Sequence, residues 1–158
     1  MTSPGHRDPP VKPLRPVRLL AVTFLGGSIG SLARIAAEVA FADAGWPAWG
    51  SRMLVNGLGA FLIGCLFARI AVRGDDGAPS GIPHSNRMTE HLLGAGFLGG
   101  FTTVSGMAWD IARSAVAGDA AEAACVLAVN AVAGIVAAAL GWRIVRSDRA
   151  RSGAERAR

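Results

Sequence analysis

Apolar positions gather in four long runs, roughly Leu19–Phe41, Met53–Val72, Leu92–Ala117 and Ala120–Trp142. Each approaches or exceeds the ~20 helical residues that cross ~30 Å of hydrocarbon. The pattern predicts an all-α membrane protein with four transmembrane helices. A polar, turn-rich connection, RGDDGAPSGIPHSNRMTE (residues 73–90), divides them into two helical hairpins that show no sequence repeat. Residues 1–18 carry Pro4, Pro9, Pro10, Pro13 and Pro16 and read as a disordered arm. Residues 19–142 form the four-helix domain, and residues 143–158 a solvated basic tail. The first run follows a proline-rich arm and lacks an A-x-A cleavage site, so it is not read as a signal peptide.

The third run works against itself. Its central stretch, GFLGGFTTVSGMAWD, is apolar enough for a membrane yet rich in glycine and hydroxyls. Gly94, Gly96, Gly99, Gly100 and Gly106 lie in this one span, each less favourable in a helix interior than alanine by about 1 kcal/mol. Thr102 and Thr103 follow the Gly99–Gly100 pair near the expected bilayer midplane. Non-helical backbone at that depth persists only where protein buries it or a wet cavity lies beside it. Broken helices there present amides and carbonyls to ions. The expectation is a third helix broken at Gly99–Gly100, with an ion beside the break. For Gly26 and Gly30 in the first span, the reading is instead close helix approach.

Composition agrees with the pattern. The 158 residues are 51% hydrophobic and 17% charged, where a soluble domain is nearer a quarter charged. Mean hydropathy is +0.39. The net charge of +5 raises the question of nucleic acid. The basic residues, however, flank the apolar runs, and no basic stripe interleaved with aromatics is present, so no nucleic-acid partner is expected. Arg7, Lys12, Arg15 and Arg18 precede the first span. Arg69, Arg73 and Arg87 lie in or beside the middle connection, and Arg143, Arg146, Arg149, Arg151, Arg156 and Arg158 follow the last. With four spans these segments share one face, which the positive-inside rule makes cytoplasmic along with both termini. Arg34, Arg52 and Arg113 remain for the other face.

Polar residues inside the spans are the candidate functional groups. An Asn56 amide facing lipid is costly, so it should point into the bundle, either bonding a neighbouring helix or donating to an anion. Asn130 shares a helical face with Gly134 and Gly141 and could line a polar track or join helices. Arg34 and Glu38 are i, i+4; the arginine could snorkel or hold positive potential at a vestibule. Asp110, two turns beyond Thr103, is placed to pair with an arginine. Cys65 and Cys125 read as small apolar filler. No catalytic set emerges: His6, His84 and His91 lack metal-ligand spacing, Ser105 has no histidine at useful spacing, and no phosphate-cradling loop is present. An enzyme is not expected.

The segments GGSIGSLAR (Gly26–Arg34), NGLGAFLIG (Asn56–Gly64) and GFLGGFTTVSG (Gly96–Gly106) resemble, in order and spacing, the CrcB or Fluc family of small fluoride channels. The resemblance implies four-helix subunits paired antiparallel, with two narrow fluoride pores per dimer. It also implies a sodium ion at the dimer centre, held by backbone carbonyls at positions matching Gly99 and Thr102. By the same resemblance Asn56 is the pore asparagine, Arg34 the vestibule arginine and Asp110 the acidic residue after the third-helix motif. Asn130 matches a polar position on the fourth helix. Thr103, Val104, Ser105 and Met107 fall on the implied fluoride path. A small, strongly hydrated anion needs fixed donors in place of water, and passage would be passive export from the cytoplasm.

The chain departs from that family in two ways. The usual motif, GGxTTFSTF, places two phenylalanines along the pores; here those positions are Val104 and Met107, and the second threonine of STF is Gly106. A self-pairing antiparallel subunit also needs balanced loop charge, which this chain lacks. The expectation is therefore a heterodimer with an oppositely inserted, similar subunit that supplies the aromatics. A non-conducting structural subunit is the alternative. A small multidrug exporter ranks below it, because the first span has no deep carboxylate.

Overall fold

The computed structural model describes residues 16–75 and 88–156. Residues 1–15 of the expected arm and 76–87 of the middle connection lie outside them. All regular structure among the described residues is helical. Four segments are long and apolar enough to cross a membrane: Pro16–Asp43, Ala48–Ala71, Met88–Val116 and Ala120–Arg149.

The first span is α1 (Pro16–Asp43) and the second α2 (Ala48–Asp75). Helix α1 has Pro16, a proline of the expected arm, in its first described turn, where the missing N–H is tolerated. The third span is two pieces. Helix α3 is π-helical over His91–Leu98 and closes as Gly99–Phe101; α4 runs over Val104–Val116. The last helix, α5, covers Ala120–Arg156, 37 residues or about 55 Å. It therefore continues past Trp142, so residues 143–156 of the basic tail are helical. Gly45 and Gly118, at φ 79° and 84°, make the two tight connections α1–α2 and α4–α5.

Helix α1 packs along α3, and α2 along α5. Lipid supplies no hydrophobic drive between helices, so van der Waals contact must hold them, which favours small residues at crossings. The α1–α3 crossing is built that way. Gly26 and Gly30 are buried, and a Cβ on either would run into the backbone of Leu92 or Phe97. A Cβ on Gly96 would lie 3.0 Å from Gly26 Cα, and one on Gly100 would strike Gly27. Gly64 and Gly141 do the same for α2 against α5. Outward positions stay apolar and open: Phe24 is 74% exposed and Ile135 71%, as a lipid- or subunit-facing surface requires.

The helix breaks two residues later than the glycines suggested. Gly99 keeps helical angles, φ −65° and ψ −34°. Thr102 (φ −81°, ψ 153°) and Thr103 (φ −141°, ψ 111°) are extended. Gly96 and Gly100 are there for close approach to α1, and the unwinding falls on β-branched residues suited to extended backbone. Replacing Gly26 or Gly100 with alanine should destabilise the fold by roughly 1–3 kcal/mol each, because the new methyl meets backbone that cannot move aside. Thermal unfolding in detergent, followed by loss of the monodisperse species, checks this.

Candidate functional site

The break is held by one side chain. Asn56 Oδ1 accepts from the Thr103 N–H at 2.8 Å, and Asn56 Nδ2 donates to the Thr103 carbonyl at 3.1 Å. The amide thus copies a strand-type backbone pair and satisfies both groups of a residue that has left the helical ladder. In an unbroken helix the Thr103 N–H would donate to Gly99 O. Its transfer to Asn56 releases that carbonyl, on a glycine exposed at the bundle surface.

The residues around Asn56 fit the break to α2. A Cβ on Gly59 would collide with the Thr102 methyl, so the glycine three residues on from Asn56 makes the space that Thr102 occupies. Thr102 turns back on α3, its N–H and Oγ1 both donating to Leu98 O, at 3.0 and 2.9 Å. Thr103 then caps α4: its Oγ1 accepts from the Gly106 N–H at 3.0 Å, one of the free donors of the first turn. Ser105 Oγ lies 3.2 Å from Thr103 Oγ1. An amide and two hydroxyls are therefore gathered at the start of α4, all able to donate to an anion.

Towards the end of the bundle that carries the α1–α2 turn lies a chain of ions. Arg34 Nη1 donates to Glu38 Oε1 at 3.0 Å, and Arg52 Nη1 donates to Asp110 Oδ1. Arg52 Nε stands 3.9 Å from Glu38 Oε2 and joins the two pairs. Two cations and two anions link α1, α2 and α4 with no net charge, as partial burial of ions demands. Asp110 is buried, and beyond it opens a pocket of about 420 Å³ lined by Trp49, Asp110, Arg113, Ser114 and Glu122 among others.

Not every expected residue joins these groups. Asn56, Thr103 and Ser105 meet; Asp110 and Arg34 meet through Glu38 and Arg52. Met107 is half-buried on α4, and Val104 is 75% exposed, on a face this chain leaves open. Asn130 stays on its own helix, Nδ2 donating to Val126 O at 2.9 Å, while its buried Oδ1 has no hydrogen-bond partner among the described residues. Arg52 was not singled out from sequence beyond its membrane face. The available signal was its place four residues before Asn56, on the same face of α2.

The family model described as "CrcB-like protein, Camphor Resistance (CrcB)" matches residues 21–142. The "Fluoride-specific ion channel FluC 1" of Mycolicibacterium paratuberculosis is 36% identical over 136 residues, 85% of this chain and 95% of that protein. The "Fluoride-specific ion channel FluC 2" of Thermobifida fusca is 35% identical over 137 residues, 84% of this chain and 93% of the relative. The protein of the same description from Leifsonia xyli subsp. xyli is 33% identical over 135 residues, covering 80% and 86%.

Asn56→Ala should cost about 2–5 kcal/mol, because it strands both the N–H and the C=O of Thr103 in the bundle. Asn56→Asp keeps the acceptor but sets a carboxylate oxygen against the Thr103 carbonyl, and at neutral pH it should be at least as destabilising as alanine. Unfolding titrations in mixed detergent micelles give the order.

Proposed function

The chain belongs to the CrcB-like family, and from that premise we propose that it is a subunit of a fluoride-specific channel exporting fluoride passively from the cytoplasm. The observation that carries the reading is the Asn56–Thr103 clasp. It gathers the uncharged donors of Asn56, Thr103 and Ser105 where a dry pore must replace the water shell of a small anion. Arg34 and Asp110 stand further along, towards the mouth, and Asn130 supplies a polar position on the last span. The role is transport; no catalysis is assigned.

The working unit in this proposal is an antiparallel pair in the cell membrane, both termini of this chain cytoplasmic. The released Gly99 carbonyl and the Thr102 carbonyl, which leaves the helix direction at ψ 153°, suit a sodium ion at the pair's centre. They are neutral oxygens on unwound backbone, the donor type that holds sodium in broken membrane helices. Sodium would supply fixed positive charge between the subunits. The partner is a similar subunit of opposite insertion, because thirteen of sixteen basic residues favour one orientation of this chain. The exposed Val104 lies where an aromatic edge is wanted, and the partner's phenylalanines would provide it. A non-conducting structural role for this chain is the reading favoured by Val104 and Met107 if the pair's second pore proves silent.

Liposomes loaded with fluoride test the proposal. The chain alone should release fluoride near the background rate, and the chain with an oppositely biased paralogue should release it well above that rate. Robust efflux from the chain alone would overturn the obligate partner; no efflux from either would overturn the channel. Purifying the pair with N-methylglucamine in place of sodium should lower its dissociation temperature, read by size-exclusion chromatography after heating.

A further inference from the structure

Arg52 accounts for a departure in the third span. Gly106 stands where the resemblance has threonine, and a Cβ there would lie 2.9 Å from Arg52 Cδ and 3.2 Å from Arg52 Nε. The arginine stem crosses α4 over this glycine and ends on Asp110, one turn further along. The same Cβ would lie 3.1 Å from Thr103 Cγ2, so the stem runs beside the clasped break. Arg52, Gly106 and Asp110 are thus one sterically coupled set. A side chain at 106 would require the arginine stem at 52 to shift aside in this geometry.

The guanidinium is underused. It carries five N–H donors. Nη1 serves Asp110, while Nε is 3.9 Å from Glu38, beyond hydrogen-bond reach. Among the described residues no other acceptor is hydrogen-bonded to it. Its side chain is 20% exposed while that of Asp110 is 10%, so the arginine reaches the surface and the carboxylate stays buried beneath it. Val104 and Met107 on the same helix stand where the resemblance has phenylalanines, and the Arg52 stem, which passes the Thr103 methyl, carries its charged donors to Asp110 one turn further along.

We propose that Arg52 is the anion-binding cation of this subunit's fluoride route, with Asp110 as the resident counter-anion that fluoride partly displaces. The inference rests on the fluoride-channel reading. Conduction needs binding strong enough for entry and weak enough for exit. An unpaired guanidinium beside a small anion would hold it too firmly; the carboxylate shares the donors and loosens that grip. Gly106 is the space that brings the guanidinium to the route.

Fluoride efflux and saturation are measured in liposomes holding the chain with its conducting partner, alongside fluorine-19 line broadening of free fluoride by the purified pair. Arg52→Met combined with Asp110→Asn removes both charges and leaves none unpaired. It should slow efflux by about tenfold or more and abolish the broadening, the loss expected for one charge-assisted hydrogen bond. Asp110→Asn alone frees the guanidinium and should lower the half-saturating fluoride concentration several-fold. Wild-type efflux and broadening from the double variant would overturn the proposal. If the double variant does not assemble, Arg52→Lys decides: a half-saturating concentration shifted several-fold supports contact with fluoride, and an unchanged one overturns it. A wild-type pair that neither conducts nor broadens defeats the channel reading itself, and efflux lost only on the variants does not.

Discussion

Hydrocarbon offers an amide no alternative partner, and this one constraint shapes the third span. A helix that unwinds inside a bilayer must find a donor for each freed carbonyl and an acceptor for each freed N–H. Here the extended Thr103 finds both in a single side chain, Asn56. Each neighbouring choice follows from it. Gly59 clears the methyl of Thr102, and Thr103 in turn caps the helix that restarts. The glycines upstream bring α1 against α3, so that the break is buried on one side and left open on the other. The open side carries Gly99 and Val104.

The second constraint is charge. Arg34, Glu38, Arg52 and Asp110 form an electroneutral chain at one end of three helices. Any one of them alone would be expensive where it is partly buried, and truncating one member leaves its neighbour in the chain short of a partner. The chain also fixes α4 relative to α1 and α2 on the far side of the break. The two halves of the third span are therefore held by different means, small-residue packing before the break and ion pairing after it.

Much of the fold was legible in the chain. Four spans follow from apolar length alone, and the third is broken as its composition implied, because both features come from the membrane as a solvent. The position of the break was read two residues early. Glycine content marks a weak helix without distinguishing unwinding from close approach, and only the neighbour across the crossing separates them. Gly100 lies against Gly27, whereas Thr103 lies against Asn56. The pairing of Asp110 was legible as a need for an arginine but not as Arg52, since 58 residues separate them. Asn130, read as a track or an adhesive, bonds its own helix at Val126; a polar face drawn from spacing does not say which way an amide turns. The helical tail beyond Trp142 was missed because basic composition reports solvation, not backbone state.

In the proposed channel the anion sheds its water beside the clasped break, and such a route must discriminate by size and hydration. The most direct measurement is the simultaneous loss of fluoride and chloride from liposomes containing the assembled pair, each ion followed by its own electrode. The account predicts that fluoride leaves while chloride stays trapped. Release of both ions at comparable rates would contradict it.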